Sequence, residues 1–546
     1  MSASPNHRHR LSTILRISAI GIILCATTVL ARAHQSTEPD WQAEGNAWWA
    51  HVQFLASDDM RGRDTGSDGH RRAAEYVAKQ FADAGLQPGG TNGFLQPIDF
   101  ETHRIDEANS SLSLERAGKT EALQLGPDAT LRVSGDPAPS VKAQAVFVGY
   151  GFAVPEMGYD EFAGQDLHGK IAVFITGGPT NIPGPLKAHY QSAEQRWEAM
   201  QKAGAIGFAT IGNPKNSDIP WSRASLARLN PSMSIADPKT RGTGPHFAAS
   251  INPAQADKWF ADSGHTIAEL LAIADKNELL PKFPLKVTVH AKVEVVRAKV
   301  TSPNVIGILP GADLKLKNEY VVISAHLDHI GVGQPINGDS IYNGAMDNAS
   351  GVASLIEVAK HIKAAGIHPR RSLIFAAVTA EEKGDLGSEY FAHHPTVPQK
   401  EIVADLNMDM FLPLFRLQYL EVQGLDESTL GDDVRAVAEG EHVIIQADKE
   451  PERNRFIRSD QYSFVKVGIP ALAFKFGWIK GTDEEKIFQD WIKTRYHAPS
   501  DDLDQPVDTP AAAHFDHLLL LLTTRVADAD TRPTWKPDSF FKRFAQ

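Results

Sequence analysis

The sequence has a single cysteine among its 546 residues, and this residue, Cys25, lies in the N-terminal segment. Disulfides, cysteine nucleophiles and cysteine-ligated metal sites are therefore excluded for the rest of the chain. Two hydrolase motifs are also missing. Without a G-x-S-x-G motif a serine hydrolase of the α/β type is disfavoured, and without an H-E-x-x-H motif a thermolysin-like, single-zinc enzyme is disfavoured.

Positive charge is scarce. The chain has 55 basic and 67 acidic residues, which gives a formal net charge of −12. Four arginines lie in the first 33 residues, so the remainder has 51 basic against 67 acidic residues, a balance of −16. This acidic balance argues against nucleic acid as a partner. With 42% apolar and 22% charged residues, the composition is that of a globular protein large enough for two or three domains.

Apolar runs long enough to cross a bilayer are lacking too. The N-terminal run, residues 17–30, has 14 mostly apolar residues, fewer than the roughly 20 that a membrane span needs. Basic residues precede it and Ala31-Arg32-Ala33 follows, which has the A-x-A pattern of a cleavage site. Residues 1–33 are therefore predicted to be a signal peptide, the alternative being an uncleaved anchor. We expect export to the periplasm or the extracellular space, with no stable membrane span after cleavage.

The hydrophobic periodicity divides the rest of the chain. From residue 304 onward, apolar runs of strand length alternate with helical segments, which predicts an α/β domain with a doubly wound, mostly parallel sheet. Upstream, residues rich in proline, glycine and β-branched side chains predict a separate, strand-rich insert with no cluster of histidine and acidic residues. The predicted units are the N-terminal part of the α/β domain at 34–135, the insert at 136–300, the main α/β domain at 301–530, and a tail at 531–546.

Ligand-type side chains follow several predicted strands. His326, Glu381, Glu382 and Asp409 each come a few residues after an apolar strand, at the sheet edge where α/β proteins bind ligands. Each has a simpler explanation when it is taken alone: a structural histidine, solvated loop charges, or a buried acid with some other partner. Asp409 lies in an apolar run, where burial without a partner is costly, and a cation is a good partner.

Two further candidates lie outside strand ends. Asp347 precedes a predicted helix, where an aspartate is often only an N-cap, and His497 lies in a polar loop with proline. Five residues of ligand type together nevertheless favour a metal site over coincidence. Asp328, two residues after His326, is predicted to accept a hydrogen bond from the far nitrogen of that histidine and so fix its tautomer. Of the adjacent pair Glu381 and Glu382, one is expected to bind metal and the other to take a proton from water.

The motifs HLDH, MDNASG, TAEEKGDLGS, NMDM and YHAPSDD, with DDMRGRDTGS and AAEYVAKQFADAGLQPGG upstream, resemble those of the M28 family of dizinc exopeptidases. The resemblance covers about residues 50–100 and 300–525. The stretch GYGFAVPEMGYDEFAGQDLHGKIAVFITGG, followed by RWEAMQKAGAIGFATI, is similar to the protease-associated (PA) domain that many of these enzymes carry as an insert.

The resemblance implies a zinc-exopeptidase fold, two Zn²⁺ ions and peptide substrates. In that pattern Asp347 bridges the two ions, His326 and Asp409 complete one site, and Glu382 and His497 complete the other. Glu381 would be the general base, and Tyr496 a donor to the oxyanion.

The family is best known for secreted aminopeptidases, and this activity is expected here. A carboxypeptidase of the same fold is the first alternative, since Arg453, Arg455 and Arg458 offer a clamp for a terminal carboxylate, although surface charge would also explain them. A receptor-like protein without metals is the second alternative. The sequence leaves the oligomeric state open.

Overall fold

The computed structural model describes Met1 and residues 40–545, apart from residues 134, 136, 237–243 and 454. Apart from Met1, the predicted signal peptide therefore lies outside the described residues. Within the described part of the chain, no helix combines the length and apolar character needed to cross a bilayer. Two large sheets dominate the structure, one with ten strands and one with eight.

The ten-stranded sheet carries the α/β domain. Its strands are, in chain order, Gln87–Pro88, Leu95–Ile105, Ser232–Ile235, Val295–Leu309, Tyr320–His326, Ser372–Val378, Ile402–Asn407, Tyr419–Gln423, Ile444–Gln446 and Ala471–Gly477.

The centre of this sheet is parallel. Strands Ser372–Val378, Tyr320–His326, Ile402–Asn407 and Ala471–Gly477 lie side by side in that order, and each pairs in parallel with the next. On both flanks the sheet becomes antiparallel, so it is mixed rather than mostly parallel. Every residue of Ser372–Val378 is buried, as expected for a strand covered on both faces.

Helices cover both faces, which confirms the predicted α/β class. One face carries Trp41–Leu55, Asp68–Asp83, Ser350–Ala365 and Thr509–Asp528, whose apolar residues form the largest core of the protein. The opposite face carries Leu386–His393 and Gln461–Lys466 around a smaller core. The remaining α-helices of the described residues are Gly184–Tyr190, Ala193–Lys202, Trp221–Ala224, Asp257–Phe260, Ile267–Ala274, Leu430–Gly440 and Asp483–Thr494.

The eight-stranded sheet belongs to the predicted insert and has its own apolar core. Its strands lie in the order Lys119–Leu123, Ser111–Arg116, Phe283–Lys292, Ser140–Phe147, Ile171–Ile175, Gly207–Ile211, Phe247–Ile251 and Ala129–Leu131. The second sheet thus begins at Ser111, not near the predicted boundary at residue 136. The physical reason is that the strands at 111–131 are antiparallel partners of strands far along the chain, and such pairing is invisible to local periodicity.

The insert also contacts the α/β domain. Its strand Ser232–Ile235 extends the ten-stranded sheet by pairing with Leu95–Ile105. The loop at 212–220 brings Asp218 to Arg458, with carboxylate and guanidinium 2.7 Å apart. The C-terminal tail lies close by, with Trp535 8% and Phe541 0% exposed in a cluster that includes Tyr462. The insert is therefore held against the domain that carries the candidate site.

His189 gives this contact a pH dependence. It lies in helix Gly184–Tyr190, its Nδ1 is 2.7 Å from the Tyr462 hydroxyl, and its ring packs on Phe540 and Phe544. Burial, together with the positive charge of Arg543, lowers the pKa of His189 to about 4. An unfolded chain binds a proton at this histidine near pH 6.5, whereas the folded chain does not until about pH 4. The histidine therefore contributes stability above pH 6.5 that is lost as the pH falls to 4.

A His189→Gln variant removes this titration. We expect its free energy of unfolding to fall less than that of the wild type between pH 6.5 and 4.5, by about 1–2 kcal/mol. This difference is smaller than the free energy that corresponds to the whole pKa shift of His189, because solvent partly screens the nearby charges. Urea denaturation at both pH values measures the difference. Tyr462→Phe keeps the histidine and serves as the control, and equal pH dependence in wild type and His189→Gln would contradict the assignment.

Candidate active site

Three parallel strands deliver the first candidate residues to one edge of the sheet. His326 ends strand Tyr320–His326, Glu381 and Glu382 come shortly after Ser372–Val378, and Asp409 follows Ile402–Asn407 by two residues. Because these strands are parallel neighbours, their carboxyl ends coincide. Asp347 and His497 come from loops before helix Ser350–Ala365 and after helix Asp483–Thr494.

The five predicted ligand residues meet around the Asp347 carboxylate. Its Oδ1 lies 3.3 Å from His326 Nε2, and its Oδ2 lies 3.3 Å from His497 Nε2. The same His326 nitrogen is 3.4 Å from Asp409 Oδ1, and the His497 nitrogen is 3.3 Å from Glu382 Oε2. One carboxylate thus faces two separate groups of ligand atoms, one with each of its oxygens.

The spacing of these atoms suits metal coordination. Around a tetrahedral ion with ligands at about 2.0–2.1 Å, neighbouring ligand atoms are about 3.3–3.4 Å apart, which matches the four separations. In addition, Asp347 Oδ2 and Glu382 Oε1 are buried and have no hydrogen-bond partner among the described residues. Buried carboxylate oxygens without partners are costly unless a cation compensates them. The residues present therefore fit a pair of metal ions.

Asp328 orients the site differently from the prediction. His326 Nδ1 bonds to the main-chain oxygen of Asp328, 3.1 Å away, rather than to its carboxylate. That contact still leaves His326 Nε2 facing the centre. The Asp328 carboxylate instead accepts hydrogen bonds from the Glu381 and Glu382 main-chain N–H groups, at 3.1 and 3.4 Å, and from Thr65 Oγ1 at 3.0 Å. It therefore fixes the turn that carries both glutamates.

His329 belongs to the site and was not predicted. It is fully buried, and its Nδ1 lies 2.7 Å from Glu382 Oε1 and 3.8 Å from Asp347 Oδ2. Neither ring nitrogen has hydrogen-bond geometry to any described residue, so the close approach to Glu382 is not a hydrogen bond. Gly344, at φ +64, makes room for the ring, since a Cβ there would lie 2.5 Å from the imidazole. The HLDH motif was the available signal, but only its first histidine was assigned.

Asp501 is a second residue that sequence reasoning left without a role. Its carboxylate accepts hydrogen bonds from the main-chain N–H groups of Met346 and Asp347, at 2.9 and 3.0 Å. Because Asp501 lies four residues after His497, this contact connects two segments that are some 150 residues apart. The bridging geometry of Asp347 therefore depends on the same loop that supplies His497.

The electrostatic environment shifts the pKa values of two carboxyl groups of the site in opposite directions. Burial raises the pKa of the Glu381 carboxyl well above its usual value, although His326 opposes this shift. Burial acts in the same direction on Asp347, but His329, His326 and His497 outweigh it and hold the pKa of Asp347 well below its usual value. Of the two groups, Glu381 therefore has the higher affinity for a proton and Asp347 the lower. Such divergence is typical of residues with different catalytic roles.

Glu381 and Tyr496 lie at the open side of this cluster. Glu381 Oε2 is 3.9 Å from His326 Nε2, and its side chain is 13% exposed. Tyr496 packs against the His497 ring, with centroids 4.0 Å apart and the ring planes tilted by 42°, and it lines a cavity together with Asp409. Burial raises the pKa of the Tyr496 hydroxyl well above its usual value, so this group remains a hydrogen-bond donor. Tyr496 therefore offers a hydrogen-bond donor at a cavity beside the cluster.

The predicted arginine cluster lies beside the site and is not ordinary surface charge. The side chains of Arg453 and Arg455 are only 12% and 10% exposed, and Arg458 is 44% exposed. All three are near the Asp218 carboxylate of the insert, and Arg455 also pairs with Glu450 at 2.8 Å. The arginines are therefore partly neutralised already.

Comparison with known proteins shows a family match over part of the chain. Residues 304–523 match the model of Peptidase family M28. Carboxypeptidase Q from Bos taurus is 26% identical over 371 residues, which cover 66% of this chain and 64% of that protein. Leupeptin-inactivating enzyme 1 from Streptomyces exfoliatus is 28% identical over 244 residues, 43% of this chain and 50% of that protein. The chain thus spans less than two thirds of the length of either relative.

A solved structure shares the fold. The aminopeptidase from Aneurinibacillus sp. strain AM-1 superimposes with a TM-score of 0.54 at 22% identity, over 90% of this chain and 96% of that chain. The matched segment 304–523 contains all eight candidate residues, from His326 to His497. Over this segment the chain matches peptidase family M28.

Proposed function

We propose that the protein is a zinc-dependent exopeptidase that hydrolyses the N-terminal peptide bond of peptides. The observation that carries the proposal is the meeting of four other ligand-type residues around the Asp347 carboxylate, with Glu381 beside them: His326, Asp409, Glu382 and His497. Two similar proteins support it: leupeptin-inactivating enzyme 1 is similar in sequence, and an aminopeptidase shares the fold.

Two zinc ions fit the two ligand groups. His326, Asp409 and Asp347 Oδ1 would hold one ion, and Glu382, His497 and Asp347 Oδ2 the other. When bound, such a pair polarises the scissile carbonyl and makes water a stronger acid at neutral pH.

Glu381 would move the proton. Its carboxylate is close enough to His326 to reach a water between the two ligand groups, and it is held there by the Asp328 carboxylate through the main chain. It would accept a proton from the attacking water and pass it to the amine that leaves. Tyr496, which keeps its proton, would donate a hydrogen bond to the carbonyl oxygen as that oxygen gains negative charge.

The experiment compares which end of a peptide is shortened. Zinc-loaded protein is incubated separately with two peptides. One has a free N-terminus and a blocked C-terminus, and the other has a blocked N-terminus and a free C-terminus. Mass spectrometry of the products should show stepwise loss from the free N-terminus only, and the activity should disappear with a chelator and return with zinc. Hydrolysis of neither peptide by zinc-loaded protein would reject the proposal.

A carboxypeptidase is the second candidate function. The observation that favours it is the position of Arg455 and Arg458, which line the same cavity as Asp409 and Tyr496. The similarity to carboxypeptidase Q adds support. Shortening of the N-blocked peptide from its free C-terminus is the outcome that would select this function.

His329 provides a test of the ligand group that contains Glu382 and His497. In a His329→Phe variant the ring remains against Gly344, but the nitrogen beside Glu382 is lost. We expect zinc affinity to fall by about 10- to 100-fold at one of the two sites, the usual effect of removing a residue that supports a metal ligand. Competition with a chromogenic chelator measures the affinity. His393→Phe, which removes an exposed histidine, is the matched control, and equal zinc affinity in both variants would contradict the assignment.

A further inference from the structure

A small polar cavity opens next to the candidate metal ligands. It has a volume of about 40 Å³, and its lining includes Asp409 and Tyr496 from the active site. About 10–15 Å³ is enough for one water, so the cavity has room for the end of a side chain but not for a large apolar group. Its remaining charged and polar lining comes mainly from strands Tyr419–Gln423 and Ala471–Gly477 and from the arginine loop: Asp218, Gln423, Arg455, Arg458, Ser459, Gln461 and Lys475.

Two hydrogen-bond donors of this lining are poorly satisfied. Lys475 is 8% exposed, and among the described residues its Nζ bonds only to the main-chain oxygens of Asp409 and Met410, both 3.4 Å away. Gln423 is 3% exposed, and its Nε2 has no acceptor among the described residues. A buried ammonium and a buried amide N–H both lose free energy without acceptors, so this cavity favours a ligand with acceptor oxygens.

The charge of the lining points in the same direction. Lys475, Arg455 and Arg458 are cations, whereas the only carboxylates of the lining are Asp218 and Asp409. Asp409 is directed to His326, and Asp218 binds the arginine loop at its outer side. The positive charge of Lys475 has no carboxylate within ion-pairing distance among the described residues. An anionic group bound in the cavity would supply this missing partner for Lys475.

We propose that this cavity binds a carboxylate of the peptide substrate, with the Lys475 ammonium and the Gln423 amide as its donors. The proposal rests on the proposed peptidase function and narrows its substrate class. A carboxylate can come from two sources, an aspartate or glutamate side chain next to the scissile bond or the C-terminus of a very short peptide. An apolar side chain in the same place would leave both donors unpaired, which disfavours leucine-like substrates.

Two matched substrate pairs distinguish the sources. The zinc-loaded enzyme is assayed with glutamyl and glutaminyl p-nitroanilide, which differ by a carboxylate against an amide, and with Leu-Gly and Leu-Gly-amide, which differ at the C-terminus. We expect kcat/KM to favour the carboxylate member of one pair by about 10- to 100-fold. The pair that shows the preference identifies the source.

Variants test the named donors. Lys475→Met and Gln423→Leu keep the approximate shape of each side chain, and each should reduce that preference to about threefold or less. Lys449→Met, which removes a nearby lysine outside the cavity lining, should leave the preference intact. Either of two results would overturn the subsite proposal alone. The wild type would hydrolyse both members of each pair equally well, or the preference for the carboxylate member would survive in both variants. Failure of the zinc-loaded enzyme to hydrolyse any of the four substrates would overturn the peptidase proposal, and the subsite with it.

Discussion

Replacing Glu381 by glutamine is expected to lower kcat by about 10²- to 10⁴-fold while the protein keeps its zinc. The amide has the same shape as the carboxylate and can still accept a hydrogen bond, but it cannot take a proton from water. Glu381 is not one of the five residues that face Asp347 or each other at about 3.3 Å, since its nearest approach to His326 Nε2 is 3.9 Å. Zinc binding should therefore be nearly unaffected.

The neighbouring glutamate is the control for this experiment. Glu382 has one oxygen 3.3 Å from His497 Nε2 and the other 2.7 Å from His329 Nδ1, so Glu382→Gln removes a negative charge from the ligand group itself. This variant should lose zinc as well as activity. Zinc content and kcat are measured on the same samples. Full activity of Glu381→Gln, or loss of zinc from it, would reject its assignment as the base.

The opposite roles of two adjacent glutamates have a structural origin. The Asp328 carboxylate accepts hydrogen bonds from both main-chain N–H groups, which fixes the turn between the strand end and helix Leu386–His393. Successive side chains on such a turn point in different directions, so Glu382 reaches His497 and Glu381 reaches His326. The turn thus separates the proposed metal ligand, Glu382, from the proposed proton acceptor, Glu381, by a single peptide unit.

The sequence predicted the ligand residues of this site better than the atoms they use. His326, Glu382 and Asp409 could be found because parallel strands end at one edge, a rule that needs only the periodicity of the chain. Asp328 accepts the hydrogen bond from His326 with its main-chain oxygen because of the local turn, and the sequence alone does not specify that turn. His329 was missed because a histidine next to a ligand has no periodic signal of its own.

Long-range pairing limited the prediction of the fold in the same way. Strand Gly207–Ile211 can be recognised from local pattern, because it is a short, mostly apolar run that ends before Gly212. Strands Ser111–Arg116 and Lys119–Leu123 expose most of their polar residues and are held by pairing with each other and with Phe283–Lys292. Such strands exist because of partners more than 150 residues away, so the start of the second sheet could not be located from local pattern.

Arg63 lies beneath the site and connects its two main segments. It is fully buried, and its guanidinium donates to the main-chain oxygens of Leu327, Asn343 and Gly344, at 3.0, 2.6 and 2.9 Å, and to that of Leu55 at 2.6 Å. Leu327 follows His326, and Gly344 lies three residues before Asp347. The positive charge also lies near the carboxylates of the site, which offset the cost of burying it. The upstream motif DDMRGRDTGS thus positions the segments that carry His326 and Asp347.

Replacing Arg63 by methionine should therefore weaken both the fold and the site. We expect the free energy of unfolding to fall by about 3–5 kcal/mol, because a buried cation is removed while its carbonyl partners and neighbouring carboxylates stay buried. Arg63→Lys keeps the charge but has too few donors for four acceptors in this arrangement, so it should lie between methionine and wild type. Arg61→Met, two residues away and exposed, should change stability by less than about 0.5 kcal/mol. Urea denaturation of metal-free protein isolates the effect on the fold, and zinc affinity measured in the lysine variant isolates the effect on the site. If methionine at position 63 is tolerated as well as methionine at position 61, the two ligand segments do not depend on this guanidinium.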